Sequence, residues 1–501
     1  METPQTLTEK WQEARMPPAE LLLHAAVALF SAYSISQIIY NIYFHPLKDV
    51  PGPLLARASL LWRLFHSMGG HWHIHMQNAH KRYGDVLRVS PNEVSFASST
   101  AWKTIYGNRN GAPMIKSGFY DILSLGFDEP SLGSERNHRV ALRKRELFAD
   151  ALSDRNLAEQ EPIMQQLVSV FIEKIGKLGN TEGGLDMHKW FLYLSFDLTG
   201  KMAFGATFAC LENETTHEWL ELILPLFFVL NLVDNFRRLP FVVQLAGMIP
   251  MKWTNGIRTK IIQASKDQTA KRLQTTSPQN DFFDNTASKV HNGEVSEEEM
   301  ASHLFTLSIA AGETTATSMT ATLHHLLTNP TTLRNLRHEV RTTYPSSQNI
   351  TIASTLKLPY LQAVLKESLR MHPLFAQGLP RLSPGAMIEG IYVPRGTEVY
   401  VFPWSTTHDD RYFHDPYTFD PERWLDRKCR DVKGASQPFI LGPRVCPGKR
   451  FAYSQMSLQL AKLVYTYDME LLENSRNWRE ECRVHVLWWL PALNVRFRPR
   501  C

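Results

Sequence analysis

The sequence predicts a mainly α-helical body with small β-sheets, preceded by one N-terminal membrane-spanning helix. Three observations predict it. Residues 21–44 contain no Asp, Glu, Lys or Arg. Apolar positions recur at helical spacing through most of the chain from residue 296 onward. Strand-like alternation is confined to short pieces at 86–97, 387–402 and 492–499. Of 501 residues, 44% are hydrophobic and 21% charged, and the formal net charge is +5. That balance belongs to a folded globular chain, not a disordered one.

The elements follow in order from local chemistry. "LLLHAAVALFSAYSISQIIYNIYF" (21–44) can cross a hydrocarbon layer of about 30 Å. No small-residue cleavage site of the signal-peptide kind follows it, so a retained anchor is expected. Basic residues are nearly balanced on its two sides and do not orient it. In "HPLKDVPGPLLA" (45–56), Pro46, Pro51 and Pro53 cannot continue a helix, and the segment reads as a stiff link. The expected division is an N-terminal segment, 1–45, carrying the anchor, and a single domain, 46–501. Residues 275–299 are the most polar stretch and are expected to form a surface loop. Ser296 followed by Glu299 predicts a capping box opening a helix that runs to about Leu327, where Asn329-Pro330 stops it. Residues 331–344 and 360–372 have the pattern of amphipathic helices.

Several classes are excluded. Five cysteines are too few and scattered for a disulfide framework, and none forms a Cys-x-x-Cys pair, which argues against structural zinc. A reducing, cytosol-facing environment is expected. No dense basic run with interleaved aromatics appears, so nucleic acid is not an expected partner. The mild positive charge suits an anionic membrane surface or an acidic protein partner.

The most informative stretch is "FILGPRVCPGKRFA" (439–452). Cys446 precedes Pro447, a residue suited to the first position of a helix, and residues 451–467 continue with helical spacing. Cys446 is therefore expected at the positive end of a helix dipole. Gly442 and Gly448 permit tight turns that aim backbone N–H groups at the sulfur. A sulfur so placed is suited to ionise and to bind a metal, and Arg444 adds a cation beside it.

At these residues the chain resembles the cytochrome P-450 superfamily. Phe439-x-x-Gly442-x-Arg444-x-Cys446-x-Gly448 matches the superfamily's haem-binding signature at every fixed position. The resemblance implies the P-450 fold and heme b, with Cys446 as the axial thiolate and Phe439, Gly442, Arg444 and Gly448 around it. It implies that Glu367 and Arg370 in "LKESLR", with Arg423 in "DPERW", form a buried ionic network behind the haem. The same spacing at Glu473/Arg476 and Glu480/Arg483 reads as surface pairing. In "SIAAGETTAT" (308–317), the resemblance assigns Glu313 and Thr314 to proton delivery during oxygen activation; the residues alone also allow Thr314 to bond back to its own helix. The usual glycine there is replaced by Ala311, with Gly312 one place later. Arg145 and Arg381 correspond to basic residues that meet the haem propionates, although Ala141 stands where the family usually has tryptophan.

The resemblance spans nearly the whole chain, and "NIYFHPLKDVPGP" and "LRVSPNEVSFAS" look like fungal microsomal members of secondary metabolism. It implies a monooxygenase that inserts one oxygen atom from dioxygen into an apolar small molecule such as a terpenoid, polyketide or alkaloid. Residues 219–236, rich in Leu and Phe, resemble the lid of its access channel, although such a stripe is also what core packing produces. Only residues 447–501 follow the cysteine, so electrons are expected from NADPH through a separate membrane-bound reductase. The expected location is the endoplasmic reticulum membrane, single-pass, with the body facing the cytosol. Two alternatives stay open: a haem-thiolate dehydratase, isomerase or peroxide-using enzyme, and a non-catalytic haem sensor or electron carrier.

Overall fold

A computed structural model describes residues 19–500 apart from 110, 219–220, 222–225, 240–254 and 276–280. Helix α1 (Ala19–Ile39) continues as a π-helical turn, Tyr40–Phe44. This span is long and apolar enough to cross a membrane. Leu22, Leu29 and Phe30 are exposed, a pattern that lipid would cover. The prolines that follow break the helix, and Asn41 Nδ2 donates to the Ala58 carbonyl at 2.9 Å. The anchor's end is thereby tied to the start of the body, where α2 (Leu61–Met68) begins.

The predicted stretch 387–402 divides: Ala386–Ile388 and Ile391–Val393 pair with each other as a separate two-stranded sheet, while its end joins the predicted strands of 86–97 and two short strands that were not predicted in a five-stranded sheet. Its members are β1 (Val86–Ser90), β2 (Glu93–Phe96), β3 (Ile115–Lys116), β4 (Arg381–Leu382) and β5 (Glu398–Val401), in the order β1-β2-β5-β4-β3. Only the β2–β5 pair is parallel. Its register sets Glu93 opposite Glu398, and the β3–β4 register sets Lys116 opposite Arg381. The last predicted strand is present as Asn494–Pro499, paired with Tyr467–Leu471 and Leu185–Asp186.

Helices make up the rest of the core: α3 (His138–Leu147), α4 (Met187–Phe204), α5 (Leu226–Phe236), α6 (Glu297–Thr328), α7 (Pro330–Thr343), α8 (Pro359–Met371) and α9 (Lys449–Thr466). Helices α4 and α6 pack closely. A Cβ on Gly312 of α6 would lie 2.5 Å from the Phe196 ring of α4, so that contact demands glycine.

Three local expectations change. Within 275–299, Asp284–His291 forms a helix rather than loop. Ser296 Oγ accepts from the Glu299 N–H as predicted, but the Glu299 carboxylate turns to Arg143, at 3.2 Å, and Lys144, at 3.5 Å, instead of closing the capping box. The helix after the cysteine starts at Lys449 with Gly448 as its cap, so Pro447 lies in the preceding turn and not in the first helical turn. Residues 219–220 and 222–225 of the lid-like stretch lie outside the described residues; the remainder includes α5.

Candidate active site

The cysteine loop is closed by its own backbone. The Cys446 N–H donates to the Phe439 carbonyl at 3.0 Å, and the Val445 N–H to the Gly442 carbonyl at 3.0 Å. Gly442 sits at φ +70°, and a Cβ there would meet the Tyr106 carbonyl at 2.1 Å. Left-handed backbone and close approach both require glycine. Burial pushes the Cys446 thiol above its ordinary value, while the Gly448 N–H and the Arg145 and Lys449 charges pull it down. A turn N–H therefore reaches the sulfur as expected, while the positive charge acting on it comes from Arg145 and Lys449 rather than Arg444, and no helix starts at the next residue.

Cys446 opens onto two adjoining cavities of about 210 and 300 Å³. Both also border Thr314, Ala310 and Phe439. The first is lined by Ala311 and the second by Leu226, Phe227 and Leu230 of α5, which supply an apolar wall. Thr314 faces the cavities, but its hydroxyl donates to the Ala310 carbonyl of its own helix, the back-bonded arrangement that its sequence allowed. Glu313 points away from both cavities. Its Oε1 accepts from Thr317 at 3.1 Å, its Oε2 is buried without a partner, and burial pushes its carboxyl up to about 7. The Ala311/Gly312 exchange thus puts a methyl group at the cavity and the glycine against Phe196.

Around the same space stand four cations without an ion pair among the described residues. Arg145 donates to the Val445 carbonyl at 2.6 Å. Arg381 donates to the Tyr120 hydroxyl at 2.6 Å. Arg444 donates to the Asn137 carbonyl at 3.2 Å, while its buried Nη1 has no partner. Lys116 donates to the Gly133 carbonyl at 2.6 Å. Burial and the charges of Arg381 and Arg444 pull Lys116 well below its ordinary value. Sequence reasoning missed Lys116, because only the β3–β4 register sets it beside Arg381. Like charges directly opposite across strands repel.

The residues predicted behind the cysteine loop do assemble. Both oxygens of Glu367 meet Arg370, at 2.7 and 2.9 Å, and Arg423 approaches Glu367 at 3.1 Å. Trp424 Nε1 donates to Glu367 at 2.9 Å, and Arg423 also pairs with Asp431. Glu367 and Arg370 are fully buried. Of the two look-alike pairs, Glu473 and Arg476 meet on the surface at 2.8 Å, whereas Arg483 donates to the Glu480 carbonyl oxygen of the backbone.

A second ionic network, with no signal in the sequence, holds the end of α5. Arg63 of α2 meets Glu93 at 3.0 Å and Asp234 at 2.9 Å. Arg238 meets Asp234 at 2.8 Å and Glu398 at 2.6 Å, and Arg237 meets Asp234 at 2.8 Å. The two facing glutamates of the parallel strand pair, which would repel if left alone, are neutralised by arginines from two helical segments.

Fold and site together define a mainly helical protein with a cysteine aimed into an apolar cavity and a surplus of cations at its edge, an arrangement able to hold a doubly acidic, metal-centred group. Comparison with known proteins narrows the class. The sequence profile described as cytochrome P-450 matches residues 51–494. A cytochrome P-450 monooxygenase of Penicillium roqueforti (strain FM164), ORF9, is 45% identical, covering 93% of this chain and 92% of its own length. BOT4 of Botryotinia fuckeliana, also named a cytochrome P-450 monooxygenase, is 42% identical, covering 95% and 91%. The trichothecene C-15 hydroxylase of Fusarium sporotrichioides is 35% identical, covering 94% and 96%. The chain belongs to the cytochrome P-450 family. It is an oxidoreductase of the monooxygenase type known from fungal secondary metabolism, with a haem-thiolate cofactor, dioxygen and a redox partner as its general requirements.

Proposed function

We propose that this chain is a membrane-anchored monooxygenase that hydroxylates, or otherwise oxidises, an apolar terpenoid, polyketide or alkaloid in fungal secondary metabolism. The observation that carries this reading is Cys446, opening onto an apolar cavity ringed by four unpaired cations. Heme b fits that ring, since its two propionates supply the missing negative charge and its iron needs an axial sulfur. Cys446 Sγ would ligate the iron, and Arg145, Arg381, Arg444 and Lys116 would hold the propionates by charge-assisted hydrogen bonds. Haem bound through a thiolate supplies the activation of dioxygen, one oxygen atom entering the substrate and the other leaving as water.

The chain's own residues govern access and protons. Leu226, Phe227 and Leu230 exclude water from the substrate side and select for apolar surface. Phe439 and Gly442 fix the cysteine loop. Thr314, next to Glu313 in the chain, places its hydroxyl at the cavity. Burial pushes the Glu313 carboxyl up to about 7, so it is able to carry a proton near neutral pH. Delivery of that proton to the cavity requires the Glu313 side chain to leave its Thr317 contact. The trichothecene C-15 hydroxylase among the relatives supports hydroxylation as the reaction type.

The same proposal includes the cell biology. The anchor, with its side chains exposed, supports a single-pass protein of the endoplasmic reticulum membrane with residues 46–501 as one cytosolic domain. Free Cys210, Cys429, Cys446 and Cys482 support the cytosolic side. Electrons would come from NADPH through a separate reductase docking near Lys449 and Arg450, which are exposed beside the cysteine loop.

The test is the carbon-monoxide difference spectrum of the reduced protein. A strongly red-shifted Soret band that Cys446→Ser abolishes is the expected result; an unshifted band would refute thiolate ligation. Substrate turnover that needs NADPH, reductase and dioxygen then separates monooxygenation from isomerase, dehydratase or peroxide-driven chemistry.

A further inference from the structure

The cavity that α5 borders is apolar over most of its wall, with Leu226, Phe227 and Leu230 on one helix and Phe305 and Ile309 on α6. In such a pocket a few placed polar groups decide which molecule fits and how it lies. The cations at the edge are the ones suited to the propionates. The Tyr120 hydroxyl accepts from Arg381 at 2.6 Å, and the Thr314 hydroxyl is bonded back to its own helix. What remains is a cluster of three hydroxyls, Thr306 of α6 with Ser131 and Ser134 of the segment that precedes α3.

Inside a helix, Ser and Thr hydroxyls commonly return their proton to the carbonyl one turn back. Ser308, Ser318, Thr320 and Thr322 of α6 do so, at 2.7 to 2.9 Å. Thr306 does not. Its hydroxyl leaves the helix and donates to Ser131 Oγ at 2.7 Å. Its methyl group is fixed as well: a Cβ on Gly133 would lie 2.7 Å from it, so the loop can close on Thr306 only with glycine there. The loop itself is held from two sides. Lys116 donates to the Gly133 carbonyl at 2.6 Å, and the Leu132 N–H donates to His303 Nδ1 at 3.0 Å.

The protons of this cluster are all spent. Ser134 donates to the Ser131 carbonyl at 3.4 Å, which leaves Ser131 to donate to Ser134 Oγ, 3.2 Å away. Ser131 Oγ accepts from Thr306 and from the Ser134 N–H, and Ser134 Oγ accepts from the Ser131 N–H at 2.9 Å. Among the described residues nothing donates to Thr306 Oγ1, and Thr306 is only half-buried. It is an acceptor with no proton to offer, at the wall of an apolar cavity. We propose that Thr306 Oγ1 accepts a hydrogen bond from a hydroxyl group of the substrate, so that the scaffold oxidised here is already an alcohol and is chosen over the ketone of the same skeleton. The inference rests on the monooxygenase reading of this site. A ketone oxygen placed there would meet only acceptors and lose the hydrogen bonds it had in water. Thr306 and Thr314 both border the cavity and stand about 12 Å apart along α6, so the hydroxyl is held at the end of the scaffold away from Thr314. Such an alcohol must be supplied by an earlier hydration or hydroxylation.

The test is ligand binding to the detergent-solubilised, haem-loaded full chain, followed by the Soret shift, with adamantane, adamantanol and adamantanone as probes of one skeleton. The alcohol should bind about fivefold more tightly than the ketone, the worth of one neutral hydrogen bond. Thr306→Val keeps the shape of the side chain and should erase that preference by weakening the alcohol alone, with the ketone, the hydrocarbon and the carbon-monoxide band unchanged. Thr306→Ser, which keeps the oxygen, should retain the preference. Should Thr306→Val not fold, the alcohol-to-ketone ratio of the parent decides. Equal affinity for alcohol and ketone in the parent, a loss of all three probes alike in Thr306→Val, or a red-shifted carbon-monoxide band with no response to any probe overturns the inference and leaves the monooxygenase reading standing. An unshifted carbon-monoxide band with no response to any probe overturns both.

Discussion

Behind the cysteine loop, Arg370 and Arg423 each meet a carboxylate, and Glu367 and Asp431 are each met by a guanidinium. Around the cavity, Lys116, Arg145, Arg381 and Arg444 donate to carbonyl and hydroxyl oxygens and meet no carboxylate among the described residues. Both groups rest on arginine guanidinium groups. The difference lies in who supplies the negative charge. Where the chain supplies it, the ions hold the fold together. Where the chain withholds it, the fold carries repulsion that only a bound anion removes. Glu313 is the acidic counterpart of the second kind, a buried carboxyl with no cation beside it.

Removing a member of the paired set should do the most damage. Arg370→Ala removes the bidentate partner of the fully buried Glu367, a loss of about 3–5 kcal/mol. Little folded, haem-loaded protein should be recovered, as read by denaturant unfolding and the carbon-monoxide spectrum. Stability near wild type in this variant would break the comparison.

Glu313 gives the next largest effect and a sign. Burial raises its carboxyl from an ordinary 4.5 to about 7 in the folded chain, so between those values the native state binds more protons than the unfolded one. Stability must then fall as pH rises from 4.5 to 7. Glu313→Gln should flatten this slope and add up to about 3 kcal/mol above pH 7, at about 1.4 kcal/mol per pH unit, while slowing turnover. Urea unfolding at several pH values measures it.

Lys116→Met sharpens the contrast by having opposite effects in two states. The haem-free chain should be as stable as its parent or more so, because Arg381 loses a like-charged neighbour. Haem retention should drop about tenfold, corresponding to one charge-assisted hydrogen bond of roughly 1.5 kcal/mol. Melting of the haem-free protein and haem transfer to apomyoglobin give the two readings. The smallest effect is reserved for Glu473→Ala, which removes a carboxylate at the same spacing from arginine as Glu367 but on the surface. A change within about 0.5 kcal/mol in denaturant unfolding is expected; a larger one would show that spacing, not burial, sets the energy.

The comparison also explains what could be read in advance. The cysteine loop and the Glu367–Arg370 pair are local patterns, with their residues a few positions apart, and both were legible. Arg423 was reached through the order of motifs along the chain. The helices at 296–327, 331–344 and 360–372 were legible because their apolar periodicity is also local. Lys116 was not legible, since its meaning comes from a register with Arg381 far along the chain. Nor was the Arg63–Asp234 contact, for which 171 positions separate the partners. The orientation of Glu313 escaped for another reason: the sequence fixes its neighbours on the helix, but the packing of α4 against α6 decides which face meets the cavity. Pro447 misled because a proline suited to a first helical turn is equally suited to the turn before one.

The cross-strand pairing of Lys116 with Arg381 has a consequence for the living cell. A newly made chain that meets no porphyrin would keep that repulsion, and it should then open more often and be the better target for quality-control proteases. The amount of enzyme at the membrane would then track the supply of iron and porphyrin even when transcription is constant.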